Sequence, residues 1–318
     1  MTDVVITDCD HPSVEIERGI FKQAGLSLSV RACRTAGDVI SAGRGAVGLL
    51  SQYAPVTDAV LAALPSVRVI GRYGVGLDNI DTAAAARRGL SVVNVPDYCT
   101  DEVADYAFGL ILALTRGLPR LDRAVHGGTW DFRVAGDVHR AASQQLGIIG
   151  LGRIGSAVAQ RARASKFRIA ASDPYPLLNE DVMFMTLPEL LVSSDVVTVH
   201  APLNTSTYHL LDASAFSLIK PGAFLVNTAR GGLIDEEALT NALVSGRLRG
   251  AALDVLEEEP ISPGDRLLQF PNVILTPHAA FYSEESIADM KTRVATSMIN
   301  ALNGEGSVPS HSRRPGVK

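Results

Sequence analysis

An apolar run, a glycine-rich turn and a helical segment follow one another at residues 146–164, near the middle of a 318-residue chain. The segment reads "LGIIGLGRIGSAVAQRARA" and contains Gly150, Gly152 and Gly155. In such a motif the first glycine permits a tight turn, the second lets the backbone approach a pyrophosphate, and the third lets the helix pack closely on the strand. Asp173 ends the next apolar run, where a carboxylate accepts hydrogen bonds from a ribose and repels a 2′-phosphate. The segment therefore predicts a dinucleotide-binding turn that favours NAD over NADP. The alternative is a structural glycine turn, followed by an aspartate that forms a turn of its own.

Short apolar runs alternate with helical segments along nearly the whole chain. Near-continuous apolar strands indicate parallel sheets that are covered by helices on both faces. Six of the runs follow one another from the glycine turn onward, which matches one complete dinucleotide-binding domain. The predicted strands are residues 3–6, 46–50, 67–71 and 91–95 in a first sheet, and 146–150, 168–172, 195–200, 223–229, 250–255 and 272–277 in a second.

The order of these segments predicts an inserted domain. The helical pattern at 284–302 follows the last predicted strand of the second sheet, so we expect it to return to the first domain. The fold class is therefore α/β with two doubly wound parallel sheets. A Rossmann domain at residues 100–283 is expected to be inserted into a discontinuous domain made of residues 1–99 and 284–318. A continuous helical pattern from about Asp101 to Gly127 is too long for an ordinary crossover and indicates a connecting arm.

Composition excludes several functional classes. The net charge of −5 indicates no basic face for nucleic acid or for an anionic membrane. The apolar stretch at 103–115 is too short to span a bilayer and contains Asp105. The three cysteines, Cys9, Cys33 and Cys99, lack metal-ligand spacing, so we expect reduced thiols and no metal. Because the N terminus also lacks a signal-peptide pattern, we expect a cytoplasmic protein.

Three polar residues follow different strands of the second predicted sheet. Arg230 comes directly after the run at 223–229, Glu259 ends an acidic run, and His278 lies in "LTPHAAFYS". Singly, they are explained as a surface arginine, a solvated acid and a structural histidine. The carboxyl ends of such strands form one ligand-binding crevice, so the three are expected to converge. Reduction of a 2-oxo acid needs a cation for the carboxylate, a proton donor for the carbonyl oxygen and a partner that keeps the donor protonated.

A second glycine-containing turn, "GRYGVGLDNID" at 71–81, also follows a strand. Gly74 and Gly76 are followed by Asn79 where a third glycine would complete the fingerprint. The turn is interpreted either as a small nest of backbone N–H groups for a carboxylate or as a simple tight turn into a helix near Asp78. The spacing does not decide between the two.

Several motifs together resemble the D-isomer-specific 2-hydroxyacid dehydrogenases. The resemblance covers roughly residues 45 to 300 and is carried by "GLGRIG", "NTARGGLIDEEAL", "GAALDVLEEEP" and "TPHAAFYSEES". Within that family, the turn at 71–81, "AFLVNTARGGLIDEEAL" and "HAAFYSEES" look closest to the branch of the C-terminal binding protein corepressors and their bacterial relatives. Phe281 stands where corepressors of this branch usually have tryptophan.

The resemblance implies a role for each matching residue. Arg230 matches the arginine that binds the substrate carboxylate, and His278 with Glu259 matches the proton donor and acceptor and its acidic partner. Val75 and Gly76 match the loop whose backbone meets the substrate carboxylate. The residues that match cofactor contacts are Gly150, Leu151, Gly152, Arg153, Ile154, Gly155, Asp173, His200, Ala201, Pro202, Thr207, Thr228, Ala229, Asp254 and Ala280.

The resemblance also implies NAD as cofactor, a small D-2-hydroxy or 2-oxo acid as substrate, and a homodimer formed through the long arm. The resemblance further implies that the discontinuous first domain is a flavodoxin-like substrate domain. The alternative function is an NAD(H)-sensing interaction module with little turnover, like the corepressors. The set of Arg230, Glu259 and His278 does not distinguish the two functions, because the corepressors of this branch keep it too.

Overall fold

The structure is a computed structural model of the chain, and it describes residues 3–175 and 181–305. The chain divides into two compact units, Met1–Tyr98 with Ser283–Lys318, and Cys99–Tyr282. The domain boundaries expected from the sequence lie one residue further along the chain at both junctions. Each unit contains one parallel sheet, of five and of seven strands, so the predicted α/β class with two doubly wound sheets is confirmed.

The sheet of the first unit has the order β2-β1-β3-β4-β5, which is the flavodoxin-like order. Its strands are β1 (Val4–Ile6), β2 (Leu28–Val30), β3 (Gly48–Ser51), β4 (Val69–Arg72) and β5 (Ser91–Val93). The sequence predicted four of these and missed β2. That strand lies at the sheet edge and none of its residues is buried, so it lacks the continuous apolar run that marks the central strands.

Helices cover both faces of this sheet. Alternate residues of β1 face opposite sides: Val5 packs in one hydrophobic cluster, and Val4 packs in another with Met298. Met298 belongs to the last helix of the chain, which contacts β4 and so lies in the first unit. The helices are α1 (Glu15–Gln23) and α11 (Glu284–Leu302) on one face, and α2 (Ala36–Ala42), α3 (Asp58–Ala63) and α4 (Thr82–Arg87) on the other.

The second unit has seven strands in the order β12-β11-β10-β9-β6-β7-β8. This is the Rossmann order with one added strand, and the direction of winding reverses between β6 and β9. Ligands of such sheets bind beyond the carboxyl ends of the strands near that point. The sequence predicted six strands and missed β8, which has only two residues. The strands are β6 (Gln145–Ile149), β7 (Arg168–Ser172), β8 (Met183–Phe184), β9 (Val196–Val199), β10 (Ala223–Asn227), β11 (Leu248–Leu253) and β12 (Val273–Leu275).

The connecting arm is two helices rather than one. The continuous helical pattern expected from Asp101 to Gly127 is wrong, because α5 (Thr100–Thr115) ends before Gly117 and α6 (Leu118–His126) begins after it. Gly117 has a φ of 64°, a left-handed conformation that a continuing helix does not allow. Helix α5 is buried against the sheet, whereas α6 has no buried residue.

The other helices of the second unit also divide between the two faces of its sheet. Helix α5 packs with α7 on one face, and the remaining three pack on the other. These helices are α7 (Arg153–Ala164), α8 (Leu187–Ser193), α9 (Ala213–Leu218) and α10 (Glu236–Val244). The apolar side chains of β6 alternate between the two hydrophobic clusters, as the two-residue period of a strand requires.

The described residues contain no membrane-spanning helix, no metal-binding cluster and no disulfide. No described helix has both the length and the apolar character needed to cross a membrane. In residues 3–175 and 181–305, no group of three or more His, Cys, Asp or Glu side chains is arranged to hold a metal ion. No disulfide links Cys9, Cys33 and Cys99, all of which lie in the described part of the chain.

Candidate active site

The glycine turn connects β6 to α7 and has little room for side chains. Gly150 has a φ of 89°, and a Cβ on it would lie 2.7 Å from the backbone nitrogen of Ala201. A Cβ on Gly155 would lie 2.1 Å from the carbonyl oxygen of Gly150. Gly152 precedes the first residue of α7, and the space that a Cβ there would enter is open. The N-terminus of α7 therefore faces open space, where its N–H groups attract an anion such as a pyrophosphate.

Asp173 follows β7 and is already engaged by the backbone. Its Oδ2 accepts a hydrogen bond from the Leu151 N–H at 2.8 Å, and its Oδ1 accepts one from the Tyr175 N–H at 2.8 Å. The carboxylate thus ties the glycine turn to the end of β7 and forms a turn of its own. Each carboxylate oxygen has a further lone pair, so the structural role and a ribose hydrogen bond are compatible.

Two other predicted cofactor residues have internal hydrogen-bond partners. The Nε2 of His200 lies 2.9 Å from the Thr198 hydroxyl. Burial lowers the pKa of His200 to about 4, so the ring is neutral at physiological pH. The Thr207 hydroxyl donates to the Pro202 carbonyl at 2.7 Å and accepts from the Asn204 N–H at 2.8 Å. Thr207 therefore shapes the turn after β9, whatever else it contacts.

Two polar side chains of the second unit have no hydrogen-bond or ion-pair partner among the described residues. The Thr228 hydroxyl is buried without a hydrogen bond to any described residue. An unsatisfied buried hydroxyl is unfavourable, which points to a ligand or water as its partner. Arg153, the first residue of α7, is exposed and forms no ion pair within residues 3–175 and 181–305. Together with the open N-terminus of α7 and the carboxylate of Asp173, these groups fit a dinucleotide.

Arg230 lies directly beyond β10, in a loop that neighbouring polar groups hold. The Nδ2 of Asn227 donates to the Arg230 carbonyl at 2.8 Å, and its Oδ1 accepts from the Ala229 N–H at 3.0 Å. A Cβ on Gly231 would lie 1.9 Å from the carbonyl carbon of Leu256, so the two backbones are in direct contact. The backbone around Arg230 is therefore fixed against the segment that leads to Glu259.

Glu259 and His278 form a hydrogen-bonded pair. The Glu259 Oε1 accepts from the Leu256 N–H at 3.0 Å, and its Oε2 lies 2.8 Å from Nδ1 of His278. Because a carboxylate accepts hydrogen bonds, Nδ1 is the donor in this pair. No described residue forms a hydrogen bond with the Nε2 of His278, whose side chain is 28% exposed. The arrangement orients the ring and leaves Nε2 for another molecule.

The charge of Arg230 is one of several influences on the pKa of Glu259. Burial alone would raise the pKa of Glu259. The hydrogen bond and positive charge of His278, the Leu256 N–H and the charge of Arg230 together outweigh burial, so the pKa is lowered. Glu259 is therefore ionised at neutral pH. The three residues predicted from the sequence as catalytic are brought together in one unit.

Asp254 has a role that the sequence did not reveal. It is 1% exposed, and its carboxylate accepts from the Thr276 hydroxyl at 2.7 Å and from the N–H groups of Ala279 and Ala280, both at 2.9 Å. The His278 N–H donates to the Asp254 carbonyl at 2.7 Å, and His278 adopts a φ of 53°. The predicted cofactor residues Asp254 and Ala280 thus hold the loop of His278 in shape.

Val75 and Gly76, predicted to meet the substrate, lie in the first unit. Both are partly buried, and the Val75 carbonyl accepts from the Nδ2 of Asn94 at 2.6 Å. The Val95 N–H donates to Gly74, which has a φ of 126°. The N–H groups of Val75 and Gly76 donate to no acceptor within the described ranges. Unused adjacent N–H groups agree with an anion nest and equally with a solvated turn.

Sequence reasoning missed two residues that shape the site, Asn227 and Thr276. Asn227 ends β10, and Thr276 directly follows β12. The available signal was a polar residue at the end of an otherwise apolar run, at the carboxyl edge of the sheet. Asn227 is fully buried and bonds the loop that carries Arg230, whereas the partly buried Thr276 donates to Asp254, which in turn holds the loop of His278.

Comparison with known proteins identifies the family. The sequence model described as "D-isomer specific 2-hydroxyacid dehydrogenase, NAD binding domain" matches residues 108–280, within the second unit. A glyoxylate reductase of Korarchaeum cryptofilum (strain OPF8) is 40% identical over 263 residues, which cover 79% of this chain and 78% of that protein. A D-3-phosphoglycerate dehydrogenase of Methanocaldococcus jannaschii is 42% identical over 256 residues, and the match covers 79% of this chain but 48% of the relative. The chain thus spans about half the length of that relative.

A solved structure shares the fold of the chain. The D-lactate dehydrogenase from Aquifex aeolicus, solved with NAD and lactic acid, has a TM-score of 0.86 and 28% identity and covers 95% of this chain and 96% of its own. The two sequence relatives are a glyoxylate reductase and a phosphoglycerate dehydrogenase, not corepressors, so the branch expected from the motifs is not supported. The chain belongs to the D-isomer specific 2-hydroxyacid dehydrogenases, NAD-dependent oxidoreductases that act on the CH–OH group of 2-hydroxy acids.

Proposed function

We propose that this protein interconverts small 2-oxo acids and D-2-hydroxy acids with NAD(H), and that Arg230, Glu259 and His278 carry out the chemistry. The observation that carries the proposal is the 2.8 Å contact between Nδ1 of His278 and Glu259, with Nε2 left open. In this proposal the second unit binds NAD and the first is the substrate domain. When bound, NADH supplies the hydride.

His278 moves the proton in this scheme. In reduction, its Nε2–H donates to the carbonyl oxygen of the 2-oxo acid, and the ring becomes neutral while Nδ1–H stays bonded to Glu259. In oxidation, neutral Nε2 accepts the proton of the alcohol. Glu259 stays ionised throughout, fixes the tautomer and favours the protonated ring. This pairing is the reason why one histidine serves both directions.

Arg230 binds the substrate carboxylate in the proposal. A planar guanidinium matches a carboxylate with two parallel hydrogen bonds, which also orients the adjacent carbonyl group. The loop contacts of Asn227 fix the backbone from which Arg230 extends. The open N–H groups of Val75 and Gly76 are proposed as a backbone contact for a substrate carboxylate.

NAD is proposed to bind at the glycine turn. Gly152 leaves space for the pyrophosphate, which the N–H groups of α7 stabilise, while Gly150 and Gly155 allow the close backbone contacts that shape the turn. Asp173 is proposed to accept the ribose hydroxyls and to disfavour a 2′-phosphate. Arg153, at the start of α7, and the Thr228 hydroxyl, after β10, are proposed as further cofactor contacts because neither has a partner among the described residues. The other matched cofactor residues, Leu151, Ile154, His200, Ala201, Pro202, Thr207, Ala229, Asp254 and Ala280, are proposed as backbone or packing contacts.

A substrate panel tests the proposed activity. NADH oxidation is measured with glyoxylate, hydroxypyruvate, pyruvate and bulkier 2-oxo acids, and we expect the small acids to give the highest kcat/KM. The glyoxylate reductase relative is the reason for including glyoxylate. Tight NADH binding with no turnover of any acid would contradict the enzyme proposal and leave the NAD(H)-sensing module as the alternative. No feature of the described residues favours that module, and the cytoplasmic location stays a prediction.

We also propose a homodimer formed through α6 and the segment that follows it. Leu118 is 54% exposed, Trp130 90% and Phe132 83%, so this surface is unusually apolar. The second copy is the proposed occupant because the family resemblance implies dimerisation through the arm.

Trp130 is the only tryptophan of the chain. Light scattering should give the mass of a dimer, and dilution to the monomer should shift the Trp130 emission to the red. A monomeric mass at micromolar concentration would refute the dimer.

A further inference from the structure

Two arginine side chains converge near the amino ends of strands in the sheet of the second unit. The Nη1 of Arg120, on α6, donates to the Ala135 carbonyl at 3.4 Å, and the Nη2 of Arg249, on β11, donates to the same oxygen at 3.5 Å. Next in sequence is Gly136, where a Cβ would lie 3.0 Å from Nη2 of Arg249 and 3.5 Å from Nη1 of Arg120. Both guanidinium groups therefore lie against the same short piece of backbone.

Among the described residues, no anion compensates this pair of cations. Within the described ranges, neither guanidinium lies within 4.0 Å of a carboxylate oxygen. By contrast, Arg161 in the same unit contacts both Asp101 and Asp105. Two like charges that share one carbonyl at long distance repel each other. The arrangement becomes favourable when an anion lies between them.

A small cavity opens beside the two arginines. Its volume is about 30 Å³, which is room for one or two water-sized groups, and among the described residues Arg120 and Arg249 are its only charged lining. The rest of the lining is largely apolar and includes Leu114, Phe224 and Ile274. The guanidinium carbon of Arg249 lies 5.4 Å from the centre of the Phe224 ring, a cation–π contact that holds the group in place. The cavity therefore offers two cations and an apolar wall to a small anionic group.

The cavity is separate from the candidate active site. Phe224 and Arg249 are each the second residue of their strands, β10 and β11, and Ile274 lies in the short strand β12. Arg230, Glu259 and His278 instead follow the carboxyl ends of those strands. The cavity thus lies near the amino ends of these strands, and the candidate active site lies beyond their carboxyl ends. The two sites are separated by roughly the length of a strand, about 15 Å.

We propose that Arg120 and Arg249 form a binding site for a carboxylate group, distinct from the catalytic site. A carboxylate is small enough for the cavity, and its two oxygens match the two guanidinium groups. The carboxylate belongs either to a small free acid or to an acidic side chain of a second copy of this chain, since Arg120 lies on the exposed helix α6. The proposal does not depend on the identity of the substrate.

The test uses Arg120→Gln, Arg249→Gln and the double variant, each saturated with NADH. The control is Arg163→Gln, which replaces an exposed arginine on α7 that pairs with Asp181, away from the cavity. Acetate is titrated at constant ionic strength against chloride, and the Tm is followed. If the site takes a free acid, acetate raises the Tm of wild type and control, and each single Arg120 or Arg249 variant shows at least about tenfold weaker apparent affinity.

A second measurement distinguishes the two sources of the carboxylate. If a second copy supplies it, acetate leaves the Tm unchanged, and the Arg120 and Arg249 variants shift the dimer towards monomer in light scattering while the control does not. In either case kcat/KM stays at the wild-type value. Arg249→Lys, which keeps the charge, retains part of the binding and guards against loss of folding.

The proposal is overturned if the Arg120 and Arg249 variants match the control in both acetate response and mass. It is also overturned if acetate stabilises the double variant as much as the wild type, since the anion then binds elsewhere.

Discussion

Replacing Glu259 with glutamine is the most direct test of the proposed proton donor. Glutamine has the same size and still accepts a hydrogen bond from Nδ1 of His278, but it removes the negative charge. The two side chains are 2.8 Å apart and are 28% and 37% exposed, so solvent screens them only in part. The variant therefore isolates the electrostatic contribution of Glu259 to the proton on His278.

The size of the effect follows from Coulomb's law. Two unit charges about 4 Å apart attract by roughly 1 kcal/mol in water and roughly 4 kcal/mol at an effective dielectric constant of about 20. Because each side chain is about a third exposed, the lower half of this range applies, and we take roughly 1.4 kcal/mol. This energy corresponds to a displacement of about one pH unit in a limb of the pH–rate profile.

The assay is kcat/KM against pH in both directions. Reduction needs the protonated ring, so its alkaline limb should move to lower pH by about one unit in Glu259→Gln. Oxidation needs the neutral ring, so its acid limb should move in the same direction. A deuteride isotope effect establishes that the chemical step limits the rate. Glu258→Gln is the matched control, since Glu258 is the exposed neighbouring acid.

The lowered pKa of Glu259 sets the pH window of the wild-type pair. A lowered carboxyl pKa contributes stability that is present above the unfolded value of 4.5 and is lost as pH falls through the folded value. The pair is therefore intact throughout the neutral and alkaline range in which both limbs are measured. If both limbs stay in place in Glu259→Gln, Glu259 is part of a solvated acidic run and the catalytic pair is wrong.

Three further predictions concern the cofactor, the substrate and the first unit. NADH should bind at least about tenfold more tightly than NADPH, or about 1.4 kcal/mol, because Asp173 repels a 2′-phosphate; equal affinities in calorimetry would contradict this role. Arg230→Lys keeps a cation but loses the planar fork, so kcat/KM should fall by more than about tenfold, or about 1.4 kcal/mol, with NADH affinity unchanged. Near-normal turnover would mean that another residue holds the carboxylate. Tyr73→Phe removes a 2.6 Å hydrogen bond to the fully buried Glu17. It should lower the free energy of unfolding, measured by urea denaturation, by about 1.5–3 kcal/mol. The control Tyr282→Phe, at an exposed tyrosine, should leave this free energy unchanged. Equal stabilities of the two variants would show that Glu17 finds another donor.

The sequence alone was sufficient to predict the central strands and the glycine turn. A parallel strand covered on both faces must be apolar throughout, so β6, β9 and β10 appear as uninterrupted runs. The turn at Gly150 and Gly155 is equally well predicted from the sequence. Glycine is needed at both positions, because a Cβ there would collide with the backbone. The same reasoning failed at the half-exposed edge strand β2 and at the two-residue strand β8, where burial imposes no such pattern.

Only the tertiary structure decided which polar groups meet. The break of the arm at Gly117 depends on one left-handed residue, which a helical hydrophobic pattern does not reveal. The buried carboxylate of Asp254 binds the loop of His278 more than twenty residues further on. Arg120 and Arg249 meet at one carbonyl group although they lie far apart in the chain. Hydrophobic periodicity records whether a residue is buried, and the partners of a polar side chain depend on distances that arise only when strands and loops are brought together.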